Sequence, residues 1–294
     1  MAKLESFSGL TQKQEDLLSK YYCFGSLAIL NINTTEDKLT FHSRSALRRP
    51  ETAQPMLSSA WLQYAQGQTL IKAKRRTDGL SHYTLEWTPE DLVPNLKAKA
   101  ECKVTYPHSK TEAEPSATIE YTHKNAKAKV TLADNPTSVK ASVTAGVPEL
   151  GVGVDAKYDF KLGRFSTYNF AMWWNKDSSR LVLKHLGSNK TQYSIGDIEL
   201  SYYQQLSSRA SIGTLVSKNW GTRKVCMEAG GEYEYDSKTL LKGKFDSEGK
   251  VGLALQRELS PNLKFTVASE VDTKQITASA LNEYKLGFRF DFNH

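Results

Sequence analysis

The stretch Lys285-Leu286-Gly287-Phe288-Arg289-Phe290-Asp291-Phe292 decides the fold. Side chains in a strand alternate sides, so Leu286, Phe288, Phe290 and Phe292 share one face while Lys285, Gly287, Arg289 and Asp291 share the other. One face is oily and the other charged. Asn293 and His294 follow with no helix after them, so the strand is terminal and needs partners. In a polar chain whose other segments repeat this alternation, a barrel with lipid outside and water inside satisfies every such strand at once.

The alternation does repeat. Leu96, Ala98, Ala100, Cys102 and Val104 alternate with Lys97, Lys99, Glu101 and Lys103; Ala126, Ala128, Val130 and Leu132 alternate with Lys127, Lys129 and Thr131. Val152, Val154, Ala156, Tyr158 and Phe160 alternate with Gly153, Asp155, Lys157 and Asp159, and Tyr168, Phe170, Met172 and Trp174 share a face. Turn formers separate the runs: Asp78-Gly79, Asp134-Asn135-Pro136, Ser188-Asn189, Ser247-Glu248-Gly249 and Ser260-Pro261-Asn262. At roughly 14 residues per strand and turn, the tract after residue 25 holds on the order of 19 strands, a size that encloses a water channel.

Composition is compatible with this reading. The 294 residues are 39% hydrophobic and 24% charged, and the mean hydropathy of −0.50 leaves no room for spanning helices, each of which needs roughly 18 consecutive apolar residues. A transmembrane barrel passes the same test because every second residue faces water. The net charge of +7 suits an anionic partner: nucleic acid, acidic lipid, or small anions in a pore. On closed-barrel strands, Lys97, Lys99, Lys103, Lys127, Lys129, Lys140 and Lys157 line one lumen, and positive charge between low-dielectric walls favours anions.

Residues 1–24 differ from the rest and form a helical lead before the barrel of residues 25–294. Thr11 and Gln14 make a capping box, and Leu10, Leu17, Leu18 and Tyr21 lie on one side of a helix, opposite Lys13, Asp16 and Lys20. So short a helix must dock on something. The N-terminus shows neither a secretory h-region nor an Arg-rich presequence.

Other chemistries find little support. Gly151-Val152-Gly153-Val154-Asp155-Ala156 matches a dinucleotide fingerprint, but the alternation runs on through it as a strand, so its glycines read as small lumen residues. Cys23, Cys102 and Cys226 are odd in number and widely spaced, and the six histidines, His108 among them, lack metal-ligand spacing. Hence no catalytic group, metal or cofactor is expected. Asn33-Thr34-Thr35 and Asn189-Lys190-Thr191 are sequons that mean little without a signal peptide.

Tyr233 to Leu255 is similar to the signature of the eukaryotic porin, or voltage-dependent anion channel, family, through Tyr233, Asp236, Ser237, Thr239, Gly243-Lys244-Phe245-Asp246-Ser247 and Gly252-Leu253-x-Leu255. Gly9-Leu10, Lys20, Phe24-Gly25 and Ser26 to Asn33 resemble the family's N-terminus, and Lys285, Gly287, Phe290 and Phe292 resemble the sorting signal of mitochondrial outer-membrane barrels. The resemblance implies an all-β transmembrane barrel of 19 strands whose first and last pair in parallel, with the N-terminal helix inside the pore. It implies a mitochondrial outer-membrane channel that closes with voltage and passes ATP, ADP, phosphate and small anions. Implied partners are membrane lipids and these permeants rather than nucleic acid, with a homo-oligomer or other outer-membrane complexes also compatible. With the lead inside the pore, its stripe and charges at Leu10, Lys13, Asp16, Leu17, Leu18 and Lys20 are the expected gating residues. Two departures stand out: the glycine-rich hinge is here Tyr21-Tyr22-Cys23-Phe24-Gly25, and the lipid-facing glutamate of an early strand has no counterpart within Thr69 to Arg75. The rival readings are the related protein-import pore of the same membrane, and a soluble β-sandwich that binds nucleic acid or lipid.

Overall fold

A computed structural model describes residues 4–49, 55–91, 93–106, 112–133, 137–188, 196–274 and 284–294. Among them 19 strands, from β1 (Ser26–Glu36) to β19 (Tyr284–Asn293), form a single sheet. Each strand pairs antiparallel with the next in sequence, and β1 pairs with β19 to close the ring. An odd number of alternating strands leaves the last pointing the same way as the first, so the closing pair is parallel. Closure removes every strand edge, which in lipid would carry backbone groups that no water can satisfy. One closed sheet also excludes a sandwich, which needs two sheets packed face to face.

The register assigns the two faces. Across the seam Ala28, Leu30 and Ile32 lie opposite Phe288, Phe290 and Phe292. Following the pairs around the ring places Leu62, Ile119, Phe170 and Leu253 on that same outer face, where each is 42–57% exposed. An apolar surface this continuous fits hydrocarbon rather than water. On the inner face Ile29, Ala46, Ala171, Trp173, Ala254 and Ala268 are buried, because the N-terminal segment lies over them.

The seam is tied from within. Asn31 Nδ2 donates to Asp291 Oδ1 at 2.7 Å and Asn33 Nδ2 to Asn293 Oδ1 at 2.8 Å, while Arg289 grips both oxygens of Asp291. At the C-terminus the His294 N–H donates to the Asn33 carbonyl at 2.8 Å. Hairpin turns fall where turn residues predict them, with Gly79 and Gly249 both at φ +89; Asp134-Asn135-Pro136, Asn189-Lys190-Thr191 and His108 lie outside the described residues.

The N-terminal segment holds a 3-10 turn, Phe7–Gly9, and a helix α1, Gln12–Ser19. Two expectations need correction. Thr11 makes no side-chain capping bond to the helix backbone; its hydroxyl instead meets the Glu15 carboxylate and accepts from Lys184 Nζ, so the capping box is replaced by a tie to the wall. Leu10 and Tyr21 both lie outside α1, so the apolar stripe is shared between a turn, a helix and the linker after it.

A matched pair of substitutions tests the faces. Phe290→Lys puts a charge into lipid at a cost of about 2–4 kcal/mol near the midplane, and less near an interface. Asn31→Lys, one ladder step away on the inner face, puts the same charge beside Asp291. Denaturant titration of the barrel in liposomes should show a large loss for the first and little for the second; equal losses would reverse the assigned faces.

Candidate functional site

The lumen is the site, and the N-terminal segment is its most elaborate feature. Phe7 and Leu10 pack with Leu4 on Ala171 and Trp173 of β11 (Arg164–Lys176) and Val182 of β12 (Ser179–Ser188). Farther along, α1 lies against β13 (Asp197–Gln205), β14 (Ala210–Asn219) and β15 (Val225–Asp236). Leu17, Leu18 and Gln14 turn to the wall and are buried. The wall leaves room for them because Gly213 and Gly230 lie beneath: a Cβ on Gly213 would sit 3.7 Å from Leu17, and one on Gly230 3.1 Å from Leu18. Gly151 serves the same end, since a Cβ there would meet the Trp173 ring at 2.0 Å. Gly151 and Gly153, the glycines that the alternation reads as small lumen residues, lie in this floor, a Cβ on Gly153 coming within 3.1 Å of Phe7; Gly213 and Gly230 were not legible from the alternation.

Polar groups complete the dock. Arg180 forms a two-pronged pair with Glu5 at 2.7 and 2.9 Å, Lys184 donates to Thr11 at 2.6 Å, and Lys242 to the Asp16 carbonyl at 2.8 Å. The Thr144 hydroxyl donates to the Glu5 carbonyl at 2.9 Å. Lys184 and Lys242 are only 8% and 5% exposed, so their charges serve docking rather than the open lumen. Sequence reading did not single them out; each sits on an inner face whose cover comes from residues far away in the chain. Lys13, Glu15 and Lys20 remain exposed on the opposite side of the segment, while Asp16 accepts from Gln12 at 2.8 Å.

The linker that carries no glycine hinge is held by aromatic contacts. Tyr21 adopts φ +75, a left-handed conformation uncommon for a bulky residue, and its ring has Lys20, Lys242 and Arg289 within 5.3–5.8 Å. Lys244 lies 4.7 Å from the centre of the Tyr22 ring. Cys23 is buried, and its carbonyl passes β19 so closely that a Cβ on Gly287 would lie 2.3 Å from it. Gly287 therefore has a packing reason of its own within the expected sorting motif, beside Lys285, which pairs with Glu270 at 2.7 Å on the inner face, and Phe290 and Phe292 on the outer.

All seven candidate lysines occupy inward register positions, on β6 (Leu96–Thr105), β8 (Ala126–Ala133), β9 (Ser138–Gly146) and β10 (Leu150–Asp159). They are not one uniform cationic lining. Lys97 pairs with Glu86 at 2.7 Å, Lys99 with Glu101 at 2.9 Å, Lys127 with Glu120 at 2.8 Å and Lys140 with Asp155 at 3.1 Å. Lys103 and Lys129 form no ion pair among the described residues. Alternation already set Glu101 and Asp155 on this face, but Glu86, Glu120 and Asp155 reach their lysines from neighbouring strands, a pairing that alternation alone does not give. At the mouth the same pairing recurs: Lys224 and Lys250 flank Glu248 and hold its carboxyl down at about 2.

Between the 3-10 turn and the wall lies a cavity of about 340 Å³ lined by Ser6, Ser8, Lys129, Lys140, Asp155 and Lys184, among others. Three ammonium groups against one carboxylate give it a cationic lining. Among the described residues no cluster of side chains could hold a metal ion.

Comparison with known proteins agrees with this architecture. The profile of the family described as eukaryotic porin matches residues 5–287. Curated relatives include mitochondrial outer membrane protein porin 3 of Arabidopsis thaliana, 29% identical over 46% of this chain and 47% of its own length. The outer plastidial membrane protein porin of Pisum sativum is 31% identical over 46% and 48%, and the mitochondrial outer membrane protein porin of 34 kDa of Solanum tuberosum 30% over 46% and 48%. The chain thus spans about half the length of the curated relatives it matches. Among solved structures, a mutant of Rh. blastica porin superposes with a TM-score of 0.55 at 8% identity, covering 88% of this chain and 95% of the other, a likeness of fold alone. The family profile across nearly the whole chain, the closed barrel and its polar lumen lead to one conclusion: this chain belongs to the eukaryotic porin family.

Proposed function

We propose that this porin is a voltage-dependent, anion-selective channel of the mitochondrial outer membrane that passes ATP, ADP, phosphate and other small anions, and that it works as a channel and not as an enzyme. Family membership and the names of the mitochondrial relatives support the location. The observation that carries the selectivity is the surplus of lumen cations after pairing: Lys103 and Lys129 on the wall, with Arg44 and Lys74 at other inward positions, and Lys13 and Lys20 on the exposed side of the N-terminal segment, have no ion pair among the described residues. Paired lysines contribute little net potential at a distance, whereas an unpaired ammonium acts on permeating ions within about 10 Å at 0.1 M salt.

Reversal potential in a planar bilayer under a salt gradient tests this reading. Wild-type protein should favour anions, and the double substitution Lys103→Glu with Lys129→Glu should shift the reversal potential toward cations. Lys127→Gln, which also frees Glu120, should give a smaller shift in the same direction. A wild-type pore without anion preference would sink the proposal.

Voltage closure is assigned to the N-terminal segment. One elementary charge moved through the whole membrane field is worth about 2.3 kcal/mol per 100 mV, and Lys13, Glu15, Asp16 and Lys20 ride on a segment held by a few discrete ties. Deleting residues 1–20 should leave a conducting barrel with altered subconductance and weaker voltage dependence. An unchanged closing curve would place the sensor in the wall instead.

A further inference from the structure

The channel reading makes no use of an arginine on the lipid-facing surface. Arg75 is the penultimate residue of β4 (Thr69–Arg76) and lies opposite Ala60 of β3 (Met56–Gln66) and Ser81 of β5 (Leu80–Trp87). Those positions continue the face of Leu62 and Tyr83, so the guanidinium points outward, near the rim at which β1 begins. It is exposed and has no ion pair among the described residues, whereas its neighbour Arg76 points inward and takes Asp78. Lys218, the outward lysine near the same rim, already covers the Trp220 ring at 3.9 Å. Among the described strands the register turns no Asp or Glu outward at this rim.

Beside Arg75 the outer wall is hollowed. A groove of about 200 Å³ is lined by Phe41, Ala60, Leu62, Ala73, Tyr83 and Arg75 itself. Ala60 and Ala73 make a low floor, and the larger apolar side chains make its banks. Closer to the rim the hydroxyls of Ser45 and Ser58 bond to each other at 3.0 Å, giving the surface a polar patch at headgroup level.

We propose that Arg75 and the alanine-floored groove hold one phospholipid with an anionic headgroup, its phosphate on the guanidinium and one acyl chain along Ala60 and Ala73. The guanidinium fork matches a phosphate at two oxygens. A zwitterionic headgroup offsets its phosphate with its own ammonium, whereas an anionic one such as phosphatidylglycerol keeps a net negative charge, so an outer rim that is basic without carboxylates selects the anionic lipid. This inference concerns the lipid side of the wall and does not depend on what passes through the lumen.

Native mass spectrometry of the full-length protein, released from micelles carrying equal phosphatidylglycerol and phosphatidylcholine, tests it. Wild type should retain one phosphatidylglycerol in preference to phosphatidylcholine. Arg75→Gln should lower that preference about fivefold, the scale of one interfacial basic residue, and Arg75→Lys should keep most of it. Ala73→Phe fills the groove while leaving the charge, and should lower phosphatidylglycerol retention as well. Both positions face outward, and retained barrel circular dichroism checks that the variants fold. Equal retention by wild type and Arg75→Gln overturns the proposal. So does displacement of the lipid by millimolar inorganic phosphate with Ala73→Phe silent, which would mean an ion site only, or a change in dimer fraction without a change in lipid, which would mean a second copy of the chain occupies the groove.

Discussion

Everything in this molecule depends on the pairing of β1 with β19. In hydrocarbon an unpaired strand edge exposes a row of amide and carbonyl groups at several kcal/mol each, so the sheet must close or not span at all. With 19 alternating strands closure is possible only in parallel, and the seam is reinforced by the Asn31 and Asn33 side chains on the inner face, and by the backbone bond from His294 to Asn33. The seam also lies next to the entry of the N-terminal segment, since Gly287 on β19 is the residue past which the Cys23 carbonyl runs.

Closure creates two solvents for one sheet, and the inner one is not plain water. A wall made only of large polar side chains could not receive a docked segment, and a wall made only of small ones would leave it loose. Here glycines at 151, 213 and 230 provide depth, Trp173 provides apolar area, and Arg180, Lys184 and Lys242 provide directional bonds. The linker adds a third kind of contact, aromatic rings near ammonium and guanidinium groups, at the place where the family resemblance implies a glycine-rich hinge. Tyr21 takes up there a left-handed backbone conformation that glycine adopts more readily. The result is a segment anchored at both ends of its path along the wall.

The lumen charges show why charge counting and charge geometry differ. A net +7 suggests a strongly cationic channel, yet Glu86, Glu101, Glu120 and Asp155 each hold a lysine at ion-pair distance. In a water-filled lumen such pairs cost little to keep and project little field beyond their immediate surroundings. The field that reaches farther comes from the lumen cations that have no ion pair among the described residues, and from those carried by the N-terminal segment itself.

What the sequence determined by itself was whatever a period of two can carry. The alternation in Leu286 to Phe292, and in the runs around Lys97, Lys127 and Lys157, sorted residues into outer and inner faces because the side-chain period of a strand is independent of its partners. Spacing gave a strand number on the order of 19, while the odd count and the parallel seam were what the family resemblance implied. Only the tertiary structure decided which inward residues meet: that Lys97 faces Glu86 while Lys103 finds no carboxylate among the described residues, that Thr11 is tied to Lys184 instead of capping its helix, that Leu10 packs on Trp173 rather than extending a helical stripe. Those relations depend on ladder register and on contacts between residues far apart in the chain, such as Thr11 and Lys184 at a separation of 173, and no local pattern encodes them. Arg75 belongs to the second account: the ladder register turns it outward, and closure sets it at the rim.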